Sequence, residues 1–319
     1  MAKVPYTKQP KTYEEQVDIL KDRGLHIEDK NRTIRHLSAI SYYRLSAYML
    51  PYKVWKNNER TDDFVANTTW SNVYDLYVFD RKLRLLVFDA IERIEIAIRS
   101  QIIYQLSLKY GSHWQDKKDI FEIKSHIRKD DDKEITIDVY KDIQKHIKDQ
   151  LASNKAEVFI KHYAQNYEPP VNPPSWMSVE IMYFNHLSQI CNNLKERKDK
   201  AAIAKWFGLP PEIFCSWLHS INFVRNICAH HARLWNRDFN IVPAKLDFSK
   251  DKIWVSNPAT IQRSKLYYFV CMVNYLLQTA NPRSNFKNSL IALIEEYKHV
   301  VNTGYMGFPA NWKDERIWK

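Results

Sequence analysis

The chain has 319 residues, 45% of them hydrophobic, with only five glycines and 48 Lys plus Arg against 37 Asp plus Glu, for a formal charge of +11 and a pI near 9.2. That much apolar content fills a real core and excludes a disordered chain, while scarce glycine argues against a turn-rich β fold. The positive balance points to a polyanionic partner, nucleic acid first, although the basic residues are spread along the chain, as a merely basic soluble protein would also have them.

The elements follow in order. A Pro- and Lys-bearing arm without a signal-type apolar segment leads into TYEEQVDILKDRG, where Thr12 stands three residues before Glu15 as a capping box and Gly24 closes the helix. A second short helix is expected over 29–52. From Ser71 to Gly111 apolar residues recur at 76, 79, 83, 86, 87, 90, 91, 94 and 98, the 3.6-residue period of one long core helix. Residues 115–157 carry dense mixed charge in DKKD, RKDDDKE and KDIQKHIKDQ, which predicts an exposed helical hairpin or loop. The four prolines of YEPPVNPPSW, 167–176, exclude helix and mark a rigid linker.

Beyond the linker, 175–195 reads as one helix with Ser175 or Ser178 as its N-cap, and the next starts at Pro210–Pro211. Two further helices are expected near 259–280 and 284–301. The most apolar run, 266–277, is too short to span a bilayer and contains Asn274, so no membrane is implied. Cys191, Cys215, Cys228 and Cys271 are widely spaced in apolar contexts; they predict no disulfide framework and suit a reducing cytoplasm. The expected fold is all-α, with an N-terminal helical extension (1–70), a first core helix (71–111), a charged helical insertion (112–168) and a motif-bearing half with the C-terminal helices (169–319), all serving one functional unit.

One stretch departs from the rest. RNICAHHARLWNR, residues 225–237, packs three arginines, two adjacent histidines and two asparagines into thirteen residues, and no Lys, Glu or Asp occurs between Ile213 and Arg237. On an ideal helix His219, Asn222, Asn226, His230, Arg233 and Arg237 fall within an arc of roughly 80°, opposite Trp217, Ile221, Val224 and Cys228. Histidine moves protons near neutral pH, arginine holds phosphate with a planar fork, and asparagine orients either. With no carboxylate to bind a metal, the lining suits phosphate chemistry without a divalent ion, such as cleavage of RNA by its own 2′-hydroxyl. The competing reading is of core polar residues that have simply found hydrogen bonds. A zinc set of Cys215, His219, Cys228 and His230 has spacings, C-x3-H and C-x-H, that match no common ligand pattern, and Cys228 at an apolar helix position is a weak nucleophile candidate. No cofactor is called for. Arg225 stands some 140° from His230 on an ideal helix, so the two meet only through the arginine's reach, a distorted helix end or a second subunit.

Arg225-Asn226-Ile227-Cys228-Ala229-His230 resembles the R-x(4–6)-H signature of HEPN ribonucleases. The longer string RNICAHHARLWNR, together with FDRKLRLLVFDAIERIEIAIRSQI, FIKHYAQNYEPP, PPSWMSVEIMYFNHLS and the ending MGFPANW, is similar to the AbiD/AbiF (Abi-like) abortive-infection family over nearly the whole chain. Asn185 stands where that family usually has glycine, a difference expected to touch packing more than chemistry. The resemblance implies an all-helical HEPN-like bundle, similar to the nuclease domains of type VI CRISPR effectors. It also implies antiphage defence in a bacterial cytoplasm and a structured non-coding RNA encoded nearby as partner. Carried over residue by residue, Arg225 stabilises the charged phosphorane, His230 transfers protons and Asn226 orients them. His231 offers an alternative register, and Arg233, Arg237, Asn222 and His219 are RNA contacts. HEPN sites generally combine two motifs and this chain has one, so either two chains pair as a homodimer or the motif is kept for binding RNA. Glu92, Arg93, Glu95 and Arg99 of the long helix are candidate polar partners of the motif helix, with Glu95 and Arg99 also a simple i, i+4 pair.

Overall fold

The structure, a computed structural model, describes residues 5–127, 134–168, 170–250 and 252–319. Among the described residues it has twelve α-helices and two two-stranded antiparallel sheets, so the fold is predominantly helical as expected. The chain divides into two units: residues 1–83 with 292–302, and residues 84–291 with 303–319.

The first unit holds α1 (Tyr13–Asp22), α2 (Lys30–Ile40), α3 (Tyr42–Met49), the hairpin of β1 (Lys53–Lys56) and β2 (Glu59–Phe64), and the start of α4 (Trp70–Tyr110). The Thr12–Glu15 capping box forms as expected, and Gly24 takes a φ of 86° just past the helix end, with Gly24 N–H bonded to Lys21 O and Leu25 N–H to Leu20 O. The single helix expected over 29–52 is broken at Ser41, whose φ of 77° lies outside any helix and whose hydroxyl caps α3 through the Arg44 N–H. Residues 53–64 form a hairpin turning on Asn57 and Asn58, both at positive φ (51° and 62°), the geometry of a two-residue type I′ turn. The apolar stripe of α4 is buried here through Val73, Leu76, Phe79 and Leu83, and the Tyr48 hydroxyl donates to the fully buried Asp80 at 2.5 Å.

In the second unit α4 buries Val87, Ile91, Ile94, Ile98 and Ile102, continuing the 3.6-residue stripe, and it ends at Gly111, φ 89°. The charged segment is only partly helical. β3 (Ile123–Ile127) pairs with β4 (Glu134–Asp138), followed by α5 (Val139–Leu151) and α6 (Val158–Asn166). Most of RKDDDKE, residues 128–133, lies outside the described residues. Past the prolines come α7 (Ser175–Ser178) and α8 (Phe184–Asn193), where one helix was expected. Neither Ser175 nor Ser178 caps a helix; Ser175 Oγ meets Ser107 Oγ at 2.7 Å and Ser178 Oγ donates to Pro173 O. The gap between α7 and α8 is held by Arg99, which donates to the carbonyls of Val179 and, at 3.1 Å, Met182.

α9 (Arg197–Trp206) and α10 (Pro211–Ala229) follow, with Pro211 at the first position of α10, as expected. α11 (Leu266–Ala280), shorter than anticipated, is buried almost throughout, and α12 (Phe286–Glu296) begins with residues of this unit. The inner face of α10 packs Trp217, Leu218, Ile221 and Val224 into the core; Trp217 meets Tyr275 of α11 edge to face at 5.5 Å. The irregular segment after α10 runs back along it, with Ala244 N–H bonded to Ser216 Oγ and the Trp217 indole N–H bonded to Ala244 O. All four cysteines are buried and in no disulfide; burial pushes the Cys215 thiol up to about 11 and those of Cys191 and Cys271 upward as well.

Candidate functional site

α10 carries the candidate residues, and the way it ends decides their arrangement. The helix stops at Ala229, so the ideal wheel that placed Arg233 and Arg237 on its polar stripe does not extend to them. His230 is the C-cap, with φ −88° and ψ 11°, and its N–H bonds to Asn226 O at 2.9 Å. His231 follows at φ 55°, with its N–H bonded to Cys228 O, and the Ala232 N–H reaches Ile227 O. These two bonds form a Schellman turn. Its left-handed position ordinarily belongs to glycine because any Cβ crowds the backbone there, and a non-glycine residue pays about 1–2 kcal/mol for it. Both His230 and His231 are exposed at this helix end.

Arg225 lies one turn earlier. Its guanidinium sits over the Phe88 ring at 5.6 Å, and its Nε is buried without a hydrogen-bond partner. It lines a cavity of about 350 Å³ with Phe88, Ile91, Glu92, Glu95, Ile96, Arg99 and Glu180. The second arginine of this cavity is fully engaged. Arg99, 8% exposed, pairs with Glu95 at 3.1 Å and with Glu180 at 3.7 Å besides its two carbonyl bonds. Glu92, Glu95 and Arg99 thus line the same cavity as the motif arginine, with no ion pair or hydrogen bond to it among the described residues, and Glu92 is exposed rather than a buried partner. Arg93 instead turns away to an exposed pair with Asp89 at 3.1 Å.

On the polar face, Asn226 and His219 reach solvent; desolvation by neighbouring atoms holds the His219 imidazole below its usual value. Asn222 donates to Asn185 Oδ1 at 3.2 Å. Asn185, expected to touch packing more than chemistry, therefore links α10 to a second cavity, of about 250 Å³, between α5 and α8. Its walls include His146 and His186, ring centroids 4.6 Å apart, and burial together with the charge of His146 pushes His186 down to about 4. Sequence reasoning missed this pair: the two histidines are 40 positions apart, and the string around His186 was read only for its family resemblance. Beyond the helix end Arg233 and Arg237 are half-buried and adjacent; Arg237 donates to Arg233 O at 3.4 Å, and the Arg233 guanidinium lies 6.0 Å from the Trp235 ring centroid.

Chemically the arrangement offers a guanidinium with no ion pair or hydrogen bond among the described residues, two exposed histidines, and the exposed amide of Asn226. Among the described residues no cluster of three or more His, Cys, Asp or Glu side chains is placed to hold a metal ion, and no helix is long and apolar enough to cross a membrane.

The model of a family described as Abi-like protein matches residues 35–236, well over half of the chain, and the match takes in α10, both histidines and Arg233. No curated protein and no solved structure matches.

Proposed function

Because the chain belongs to the Abi-like protein family of abortive-infection proteins, we propose that it is a bacterial antiphage protein of HEPN type that binds RNA and cleaves it without a metal ion. The observation that carries this reading is the state of Arg225. A buried guanidinium Nε left without a hydrogen-bond partner beside a cavity costs stability unless an acceptor completes it, and a phosphodiester has the geometry that a planar fork matches.

In the proposed reaction the 2′-oxygen of a ribonucleotide forms a bond to the adjacent phosphorus as the bond from phosphorus to the 5′-oxygen breaks. One histidine takes the 2′-hydroxyl proton, and a proton is delivered to the leaving 5′-oxygen, giving a 2′,3′-cyclic phosphate and a 5′-hydroxyl. Arg225 offsets the charge that builds on the phosphorane oxygens. Asn226 positions the scissile group, His230 or His231 transfers protons, and Arg233, Arg237, Asn222 and His219 hold flanking RNA. One motif per chain supplies one such set, and a homodimer supplies the second. The exposed apolar Ile96 on α4, 57% accessible and on the wall of the Arg225 cavity, favours a partner surface there. The partner RNA is a structured non-coding species in the cytoplasm.

A second reading has its own observation. Glu92, Glu95 and Glu180 surround Arg225, and three carboxylates against two arginines oppose a polyanion entering the cavity. On this reading the protein is a catalytically silent RNA scaffold or an RNA-neutralised toxin. The two separate in one experiment: His230→Ala and Arg225→Ala variants, assayed for both RNA affinity and cleavage in EDTA. Loss of cleavage with affinity retained in His230→Ala supports the nuclease; binding without cleavage by the unaltered protein supports the scaffold.

A further inference from the structure

The groove between α5 and α8 is not used by the reaction above, yet Asn222 of the motif helix is hydrogen-bonded to one of its wall residues, Asn185. α5 contributes Val139, Asp142, Lys145, His146 and Asp149, one face of the helix at spacings of three and four; α8 contributes Asn185, His186 and Gln189. The two imidazoles are fixed by backbone. His146 Nε2 must donate to Ile181 O at 2.7 Å because a carbonyl only accepts, and His186 Nδ1 accepts the Tyr183 N–H at 3.1 Å. Tyr183, 62% exposed, lies stacked on His186 with centroids 5.6 Å apart. The groove therefore offers flat π surfaces at its wall, amide edges at Asn185 and Gln189, and two exposed carboxylates on α5 that can only accept.

We infer that this groove receives one unstacked guanine base of the bound RNA, held against the His146–His186 rings and read by the α5 carboxylates. A single base is the element of RNA that combines a stackable face with a hydrogen-bonding edge, and single-stranded RNA is recognised in that way. Of the four bases, guanine presents adjacent N1–H and N2–H donors, the edge that an acceptor-only carboxylate complements. The volume, about 250 Å³, admits one base and not a duplex. Its link to Asn222 places the reading step beside the motif helix, so a guanine near the cleaved bond sets the site of cleavage. The inference rests on the RNA-binding reading.

The test uses the full chain and fluorescence anisotropy with 5′-labelled uridine octamers carrying one guanosine, inosine or adenosine. The guanosine octamer is expected to bind about tenfold tighter than the adenosine one, with inosine between them because it lacks the 2-amino group. Asp142→Asn/Asp149→Asn, both exposed positions, is expected to bring that ratio close to one, while His146→Ala weakens all three octamers alike. RNA binding that is tight but indifferent to guanosine, or a preference that survives the double substitution, overturns the groove assignment and leaves the RNA reading standing. Failure of the unaltered protein to bind any octamer or longer RNA removes the RNA reading itself, and this inference with it.

Discussion

Replacing His231 by alanine and by glycine separates the backbone from the imidazole at the helix end. Both substitutions remove every contact of the side chain, so the difference between them reports only the φ of 55°. Alanine in the left-handed region costs about 1–2 kcal/mol. Glycine avoids that cost but gives back roughly 0.5–1 kcal/mol through the greater freedom of its unfolded chain. The His231→Gly protein should therefore be more stable than His231→Ala by about 0.5–1 kcal/mol, measured as a difference in urea midpoint at common slope. The fluorescence of buried Trp217 and Trp235 follows the relevant unit. Equal stability, or greater stability of the alanine form, would refute the Schellman assignment at Ala229–Ala232. The same pair of proteins resolves the register of the motif: if His230 moves the proton, both keep cleavage, and if His231 does, both lose it.

Three further outcomes follow from the geometry. Arg99→Met should destabilise the protein by about 3 kcal/mol in chemical denaturation, because the carbonyls of Val179 and Met182 and the carboxylate of Glu95 lose their donor together; a loss below 1 kcal/mol would show the α7–α8 gap to be held otherwise. His186 is pushed down to about 4, below the ordinary histidine value near 6.5, so the unfolded chain binds the extra proton between those values. Stability should then fall as pH drops from 6.5 towards 4, by up to about 1.4 kcal/mol per pH unit, and His186→Gln should flatten that slope; an unchanged slope in the variant contradicts the assignment. RNA affinity should decline steeply with salt, as several Lys and Arg side chains displace counterions, and a flat response would argue against phosphate contacts.

What could be read from the residues, and what could not, follows from where the determining interactions lie. α4 was visible because its apolar stripe repeats from 76 to 98, about six turns, and the start of α10 because Pro211 acts within one turn. The β1–β2 hairpin was missed because KVWK and ERTDDF are short and polar, although Asn57–Asn58 is a recognisable turn signal. The end of α10 was misplaced for a related reason. No glycine marks it, and His231 takes the left-handed position that glycine normally announces. The split between α7 and α8 is set by Arg99, some 80 residues away, and no local pattern encodes a bond of that range. Of the candidate residues, Arg225 was singled out by its motif, whereas its cavity needed Phe88, Glu92 and Glu180 brought in by the fold.

Whether the Arg225–His230 motif cuts RNA can be tested directly. Purified full-length protein and its Arg225→Ala/His230→Ala variant should be incubated in EDTA with the RNA that accompanies the protein from its host, and the new ends identified. The unaltered protein should leave 2′,3′-cyclic phosphate and 5′-hydroxyl ends, and the variant none. Cleavage that persists in the variant, or that requires an added divalent metal, would contradict metal-free cleavage by the motif.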